Sequence, residues 1–210
     1  LPSGTRSEAI DNEVAALLYK SGCRNMSYSP ESGSIGVLER IKKKISLDSV
    51  IRSIDASFKN NMNIKTNIIF GFPEETLKEI LESYHFIIRM AFAGAYDISI
   101  WAFSPYPGSE LFSDISATGK LRMDDAYYDS LRSYADPSKT VSYSVHISDK
   151  TLKVLRFIGT ALFYVTSWSR RPYRPFKIIW NLMIGRQESR AELGLYNLLR
   201  QNRLVKMFTD

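Results

Sequence analysis

Three short stretches, residues 25–30, 64–70 and 96–103, alternate with helical patterns along the first half of the chain. A helix is expected at 7–21, where Thr5-Arg6-Ser7-Glu8 fits a capping box and Gly22 a stop. Residues 35–44 read as helical. From Ser46, a stripe of Leu47, Val50, Ile51, Ile54 and Phe58 marks another helix, ended by Asn60-Asn61. Thr76 and Glu79 form a second capping box ahead of the apolar face Ile80, Leu81, Tyr84, Ile87, Ile88 and Ala91, and Gly94 stops it. Strands separated by helices and short connections imply a parallel sheet with right-handed crossovers. Periodicity does not separate an open doubly wound sheet from a barrel. Either way, chemistry belongs at the C-terminal ends of the strands.

Composition narrows the class. The chain has 210 residues, 44% hydrophobic and 24% charged, which excludes a disordered chain, a collagen-like repeat and a disulfide scaffold. The single cysteine, Cys23, can form neither an internal disulfide nor a multi-cysteine metal site. Charge is uneven: residues 1–150 carry 17 Lys and Arg against 19 Asp and Glu, and residues 151–210 carry 11 against 3. Three regions are expected: an α/β part at 1–115, a helical and loop extension at 116–150, and a basic, aromatic, mainly helical tail at 151–210. The chain opens on Leu1 with no signal-peptide pattern, and the expectation is a fragment that starts inside a domain.

Three loops follow the strands. Glu31-Ser32-Gly33-Ser34 offers a carboxylate and two hydroxyls that can bind a ribose or an amino group, or simply cap a helix. In 67–74 (NIIFGFPE), alternation puts Asn67, Ile69 and Gly71 on the face opposite Ile64, Ile68 and Phe70. Glycine at that strand end admits a flat ligand or another backbone; the plainer reading is a strand-to-helix turn with Glu74 near a helix N-terminus. The stiff loop from Phe103 through Ser104, Pro105, Tyr106, Pro107 and Gly108 could wall an adenine pocket or merely connect. His85, His146 and Cys23 make no zinc site, and no dinucleotide fingerprint, P-loop or nucleophile elbow occurs.

Taken in register, the three loops resemble the C-terminal half of a radical S-adenosylmethionine (SAM) enzyme core. The closest flavour is the class with an upstream cobalamin-binding domain. The resemblance implies an α/β fold: a partial (β/α)6 TIM-type barrel, its C-terminal half, followed by the helical tail. It places Glu31 and Ser32 at the family's polar pair facing SAM. It maps the G-x-I-x-G-x-x-E motif onto Asn67, Ile69, Gly71 and Glu74, with Asn67 replacing the first glycine and Ile69 lining the adenine pocket. Phe103, Ser104 and Pro105 would flank the adenine, and Arg6 would face the site. The family's CxxxCxxC motif, which holds a [4Fe–4S] cluster, is not in this chain, and Cys23 alone cannot replace it. The implied account is truncation, with the missing N-terminal half as partner, an inactive isolated chain, and an intact enzyme that cleaves SAM to a 5′-deoxyadenosyl radical or transfers a methyl group with cobalamin. The competing functions are a cluster-less membrane-associated scaffold, and a barrel enzyme acting on a phosphorylated substrate.

The tail carries apolar runs at 157–168 and 178–184, too short to span a membrane at roughly 20 residues per crossing. Arg, Tyr and Trp between them suit an interfacial helix pair on anionic lipid; the alternative is a helix that packs across the barrel and closes it. A basic amphipathic helix is expected at 188–207. No nucleic-acid partner is expected, because the apolar runs argue against it. The implied location is cytoplasmic, with peripheral contact at the inner face of the membrane if the tail binds lipid.

Overall fold

The computed structural model describes residues 9–119, 121–134, 137–186, 188 and 190–201. Its first half alternates as expected: α1 (Asn12–Lys20), β1 (Asn25–Glu31), α2 (Ile35–Arg40), α3 (Leu47–Lys59), β2 (Asn63–Phe70), α4 (Leu77–Ala93) and β3 (Asp97–Ala102). Two boundaries differ from the expectation. The first helix begins later than residue 7 because Asp11 caps it, accepting from the Val14 N–H at 2.9 Å. The Thr5–Glu8 box lies outside the described residues. The α2 helix ends at Arg40 rather than Lys44, because Lys42 turns into the left-handed region at φ 57° and the Lys43 N–H closes back on the Leu38 carbonyl at 2.8 Å.

The three strands lie side by side in chain order, both pairs parallel. Pleating splits them into two faces. Met26, Tyr28, Ile64, Thr66, Ile68, Phe70, Ile98 and Ile100 are buried against helices. The Tyr28 hydroxyl meets the hydroxyls of Ser53 and Ser57 on α3, each at 2.9 Å. The Phe70 ring packs edge-on to Tyr84 of α4. On the other face Lys65, Asn67, Ile69, Ser99 and Trp101 remain half-exposed. This is an α/β protein with a parallel sheet covered by helices on one side.

Beyond β3 come α5 (Glu110–Ala117), α6 (Asp125–Ser130), the short turns Leu131–Tyr134 and Pro137–Lys139, then α7 (Asp149–Arg170), α8 (Tyr173–Met183) and α9 (Arg190–Gln201). The two apolar runs of the tail fall within α7 and α8, but α7 starts well before its run, at a Ser148 cap. It lies beside α4 on the covered face of the sheet. Gly159 makes that approach close: a Cβ there would lie 2.6 Å from Ile100 Cδ1. Arg156 Nε donates to the Ile100 carbonyl of edge strand β3 at 2.9 Å, Tyr164 donates to Asp97 at 2.6 Å, and Tyr84 donates to the Leu155 carbonyl at 2.8 Å. At the α7–α8 turn, Arg171 bonds the carbonyls of Ala91 and Phe92, and Arg174 those of Gly94 and Ala95. Both guanidinium groups thus sit on the C-terminal carbonyls of α4, where the helix leaves acceptors unpaired and its dipole favours cations. Leu152 and Phe163 belong to the same buried core as Ile64, Ile68, Phe70 and Ile87. The inner face of the tail therefore packs on the body. No helix among the described residues is long and apolar enough to cross a membrane. A second, smaller apolar cluster of Val37, Phe72, Phe103 and Ile115 sits at the C-terminal ends of the strands.

Candidate functional site

The three loops meet where the half-exposed face of the sheet runs into that second cluster. In the first loop, Glu31 closes β1 at φ 68°, where the pairing with β2 shifts register. Its carboxylate lies 3.2 Å from Lys43 Nζ; burial pushes its pKa up, and Lys43 offsets part of the rise. Ser32 turns the other way. It is fully buried, its hydroxyl 3.2 Å from that of Ser83 on α4 and accepting from the Ser34 N–H at 3.1 Å. Gly33 is pressed against the same helix: its N–H donates to Ser83 Oγ at 3.0 Å, and a Cβ on it would lie 2.5 Å from Phe86 Cβ. Ser34 Oγ is buried without a hydrogen-bond partner.

The second loop leaves β2. The Asn67 amide donates to Ser27 Oγ at 2.8 Å and Ser29 Oγ at 3.1 Å, lacing β1 to β2 across the open face. Ile69 shares that face and packs against the Phe72–Phe103 cluster. Gly71 is at φ 87°, which disfavours any side chain. Its missing Cβ would meet Leu152 Cδ2 of α7 at 2.8 Å, so the close approach expected of this glycine is to the tail and not to the open face. Glu74 is exposed, whereas its neighbour Glu75 is fully buried. Glu75 Oε2 accepts from the backbone N–H of Gly71 at 2.6 Å and of Phe72 at 3.3 Å, and Oε1 has no hydrogen-bond partner. Burial pushes its pKa up to about 7, against the pull of the two N–H donors. Thr76 and Glu79 form the expected capping box, and Arg40 of α2 pairs with Glu79 at 2.7 Å.

In the third loop the Phe103 ring packs on Phe72 at 5.1 Å and edge-on to Tyr143 at 6.4 Å. Ser104 is half-buried, and Pro105 is buried with its carbonyl held by the Tyr127 hydroxyl at 2.8 Å. The loop segment 143–145 passes over this region: the Val145 N–H donates to the Pro73 carbonyl, and Ser144 Oγ to the Glu75 carbonyl. Arg6 lies outside the described residues.

Glu31, Asn67, Ile69, Phe103, Ser104 and Pro105 thus gather at one end of the sheet, while Ser32 and Gly71 serve its packing. Sequence reading missed Glu75, Ser83 and Tyr143. Two adjacent glutamates at 74–75 gave a signal that one of them is special, but motif spacing selected the exposed one. An apolar aromatic wall, hydroxyls and a carboxylate are groups that could hold an adenosine-bearing amino acid ligand, while Ser34 Oγ and Glu75 Oε1 are buried without hydrogen-bond partners. The donor set does not suit an iron–sulfur cluster. Cys23 is the only cysteine and precedes β1, at the end of the strands opposite these loops. Among the described residues no group of three His, Cys, Asp or Glu could hold a metal ion.

Comparison with known proteins finds partial matches in methyltransferases and a methylthiotransferase. A cytidylyl-2-hydroxyethylphosphonate methyltransferase of Streptomyces wedmorensis is 29% identical over 134 residues, 60% of this chain and 24% of that protein. An uncharacterized methyltransferase of Pyrococcus horikoshii is 28% identical over 122 residues, 57% of this chain and 25% of its own length. A threonylcarbamoyladenosine tRNA methylthiotransferase of Thermotoga maritima is 28% identical over 111 residues, 51% of this chain and 25% of its own length. The chain spans about a quarter of the length of each of these relatives. The radical SAM superfamily model matches residues 2–87, from before α1 into α4.

Proposed function

We propose that this chain supplies the SAM-binding face of a radical SAM enzyme, and that its three parallel strands form part of a (β/α)6 barrel. The observation that carries the reading is the meeting of Asn67, Ile69 and Phe103 with Glu31 at the C-terminal ends of parallel strands, where such folds bind ligands. SAM supplies a methyl group or, on cleavage of a C–S bond, an adenosyl fragment. The chain's own residues bind and orient it. Ile69 and Phe103 offer an apolar wall for the adenine, and Asn67 holds Ser27 and Ser29 in place across the face. Glu31, half-neutralised by Lys43, accepts from the ligand's ribose hydroxyls or amino group. The stiff Pro105 and the strap at 143–145 limit water at the adenine end.

The cluster's ligands and any cobalamin site belong outside this chain, and no step is derived through either. Two relatives named as methyltransferases and one as a methylthiotransferase favour group transfer to the substrate. The substrate's contacts and a cytoplasmic setting are part of the same proposal. Titration of the chain with S-adenosylhomocysteine and SAM by calorimetry tests the reading. Both are expected to bind, and Ile69→Glu to weaken both by at least roughly tenfold, the effect of about 1.4 kcal/mol. Absence of binding to either, or equal binding by Ile69→Glu, overturns it.

A further inference from the structure

From residue 150 to residue 186 the sequence contains eight Lys and Arg and no Asp or Glu. Within that stretch α7 and α8 each have two unlike sides. The side of α7 against the body carries Leu152, Arg156, Gly159, Phe163 and Ser167. The opposite side carries Val154, Phe157, Ile158, Val165 and Trp168, all exposed, with Phe157 at 75%. In α8 the buried residues are Arg174 and Asn181, and the opposite side shows Phe176, Ile179, Trp180 and Met183, with Phe176 at 72% and Met183 at 68%. Lys150, Lys153, Arg170 and Arg186 are exposed around these stripes. Elsewhere on the described surface, single exposed hydrophobics and pairs such as Val14 with Leu17 and Leu77 with Leu81 are ordinary. Two consecutive stripes of this kind are not.

We infer that the outer faces of α7 and α8 dock on an anionic lipid surface. The charge selects this occupant. Arg156, Arg171 and Arg174 are held by the body and Lys177 and Arg186 pair with Glu188, but the exposed Lys150, Lys153 and Arg170 complement phosphate headgroups, while the aromatic and aliphatic stripes enter the acyl boundary. Trp168, Tyr173 and Trp180 are the residue types that settle at the headgroup level. Neither helix crosses the bilayer, and their inner faces remain on the protein. The α7 helix touches the SAM loops through Leu152 at Gly71, so the proposed SAM site sits one helix away from the lipid. The inference does not depend on the proposed activity.

The test is co-sedimentation of the chain with phosphatidylcholine vesicles, with and without phosphatidylglycerol, together with quenching of tryptophan emission by brominated lipid. The chain is expected to sediment with the anionic vesicles and be quenched, and to release on added salt. The double variant Phe157→Glu, Phe176→Glu is expected to lose at least roughly tenfold in vesicle affinity while keeping its circular dichroism and thermal midpoint. Failure to bind anionic vesicles overturns the inference. So does vesicle binding without quenching, which would place the tryptophans away from lipid. A concentration-dependent dimer abolished by the same double variant also overturns it, because a second copy would then cover the face.

Discussion

Helices α4 and α7 lie side by side on the same face of one sheet, yet their inner faces differ in polarity. The α4 helix buries Ile80, Ser83, Phe86, Ile87, Met90 and Ala91 and turns Lys78, Glu82 and His85 outward along with Leu77 and Leu81. The α7 helix also buries Leu152 and Phe163, but adds Arg156, Gly159 and Ser167 to its inner face and exposes Val154, Phe157 and Val165. The difference follows from what each helix covers. The α4 helix crosses from β2 to β3 over the apolar centre of the sheet. The α7 helix covers edge strand β3: Arg156 supplies a partner to the Ile100 backbone carbonyl, and Tyr164 donates to the Asp97 side-chain carboxylate. Polar groups at an edge can be satisfied by a buried, fully bonded arginine; outward apolar residues are not explained by the fold at all. They call for something outside it.

Substitutions can break this contrast. The largest effect is expected at Phe163, fully buried: Phe163→Ala should cost about 3–5 kcal/mol, seen as a lower thermal midpoint and denaturant midpoint. The same change at Phe157, on the same helix but 75% exposed, should stay within about 0.5 kcal/mol. Equal costs at the two positions would show that α7 is seated with another face inward.

Between these extremes lies Glu75, which joins the two regions. Its pKa rises from 4.5 to about 7 in the fold, so the folded chain holds a proton that the unfolded chain has lost. Its contribution is therefore fully present below pH 4.5 and is lost as pH rises through about 7, by roughly 3 kcal/mol in all. Glu75→Gln removes the titration. Chemical denaturation is expected to show the variant gaining on the parent chain between about pH 5 and about pH 8. An unchanged difference across that range would mean that Glu75 is ionised in its buried site.

The alternation of helices and strands was legible because it rests on local pattern. Strand faces followed from parity, and the Thr76–Glu79 box from a short spacing. What was not legible depends on the third dimension. The Thr76 cap does not reveal that Glu75, and not Glu74, folds back onto the Gly71–Phe72 turn. Nothing local announces that Ser83 will bond the Gly33 N–H fifty positions away along the chain. In the tail, the apolar runs marked helices without showing which of their residues face the body. The resemblance of the loops to radical SAM enzymes was legible because it lies in residue order, and the match over 2–87 takes in the first two of the three.

The central claim is that the open end of the sheet binds SAM and that the tail faces something else. Amide hydrogen exchange of the chain with and without saturating SAM tests it most directly. Slower exchange at residues 27–34, 67–72 and 103–105, with 154–183 unchanged, is the predicted result. Slowing confined to 154–183, or no slowing anywhere, would contradict it.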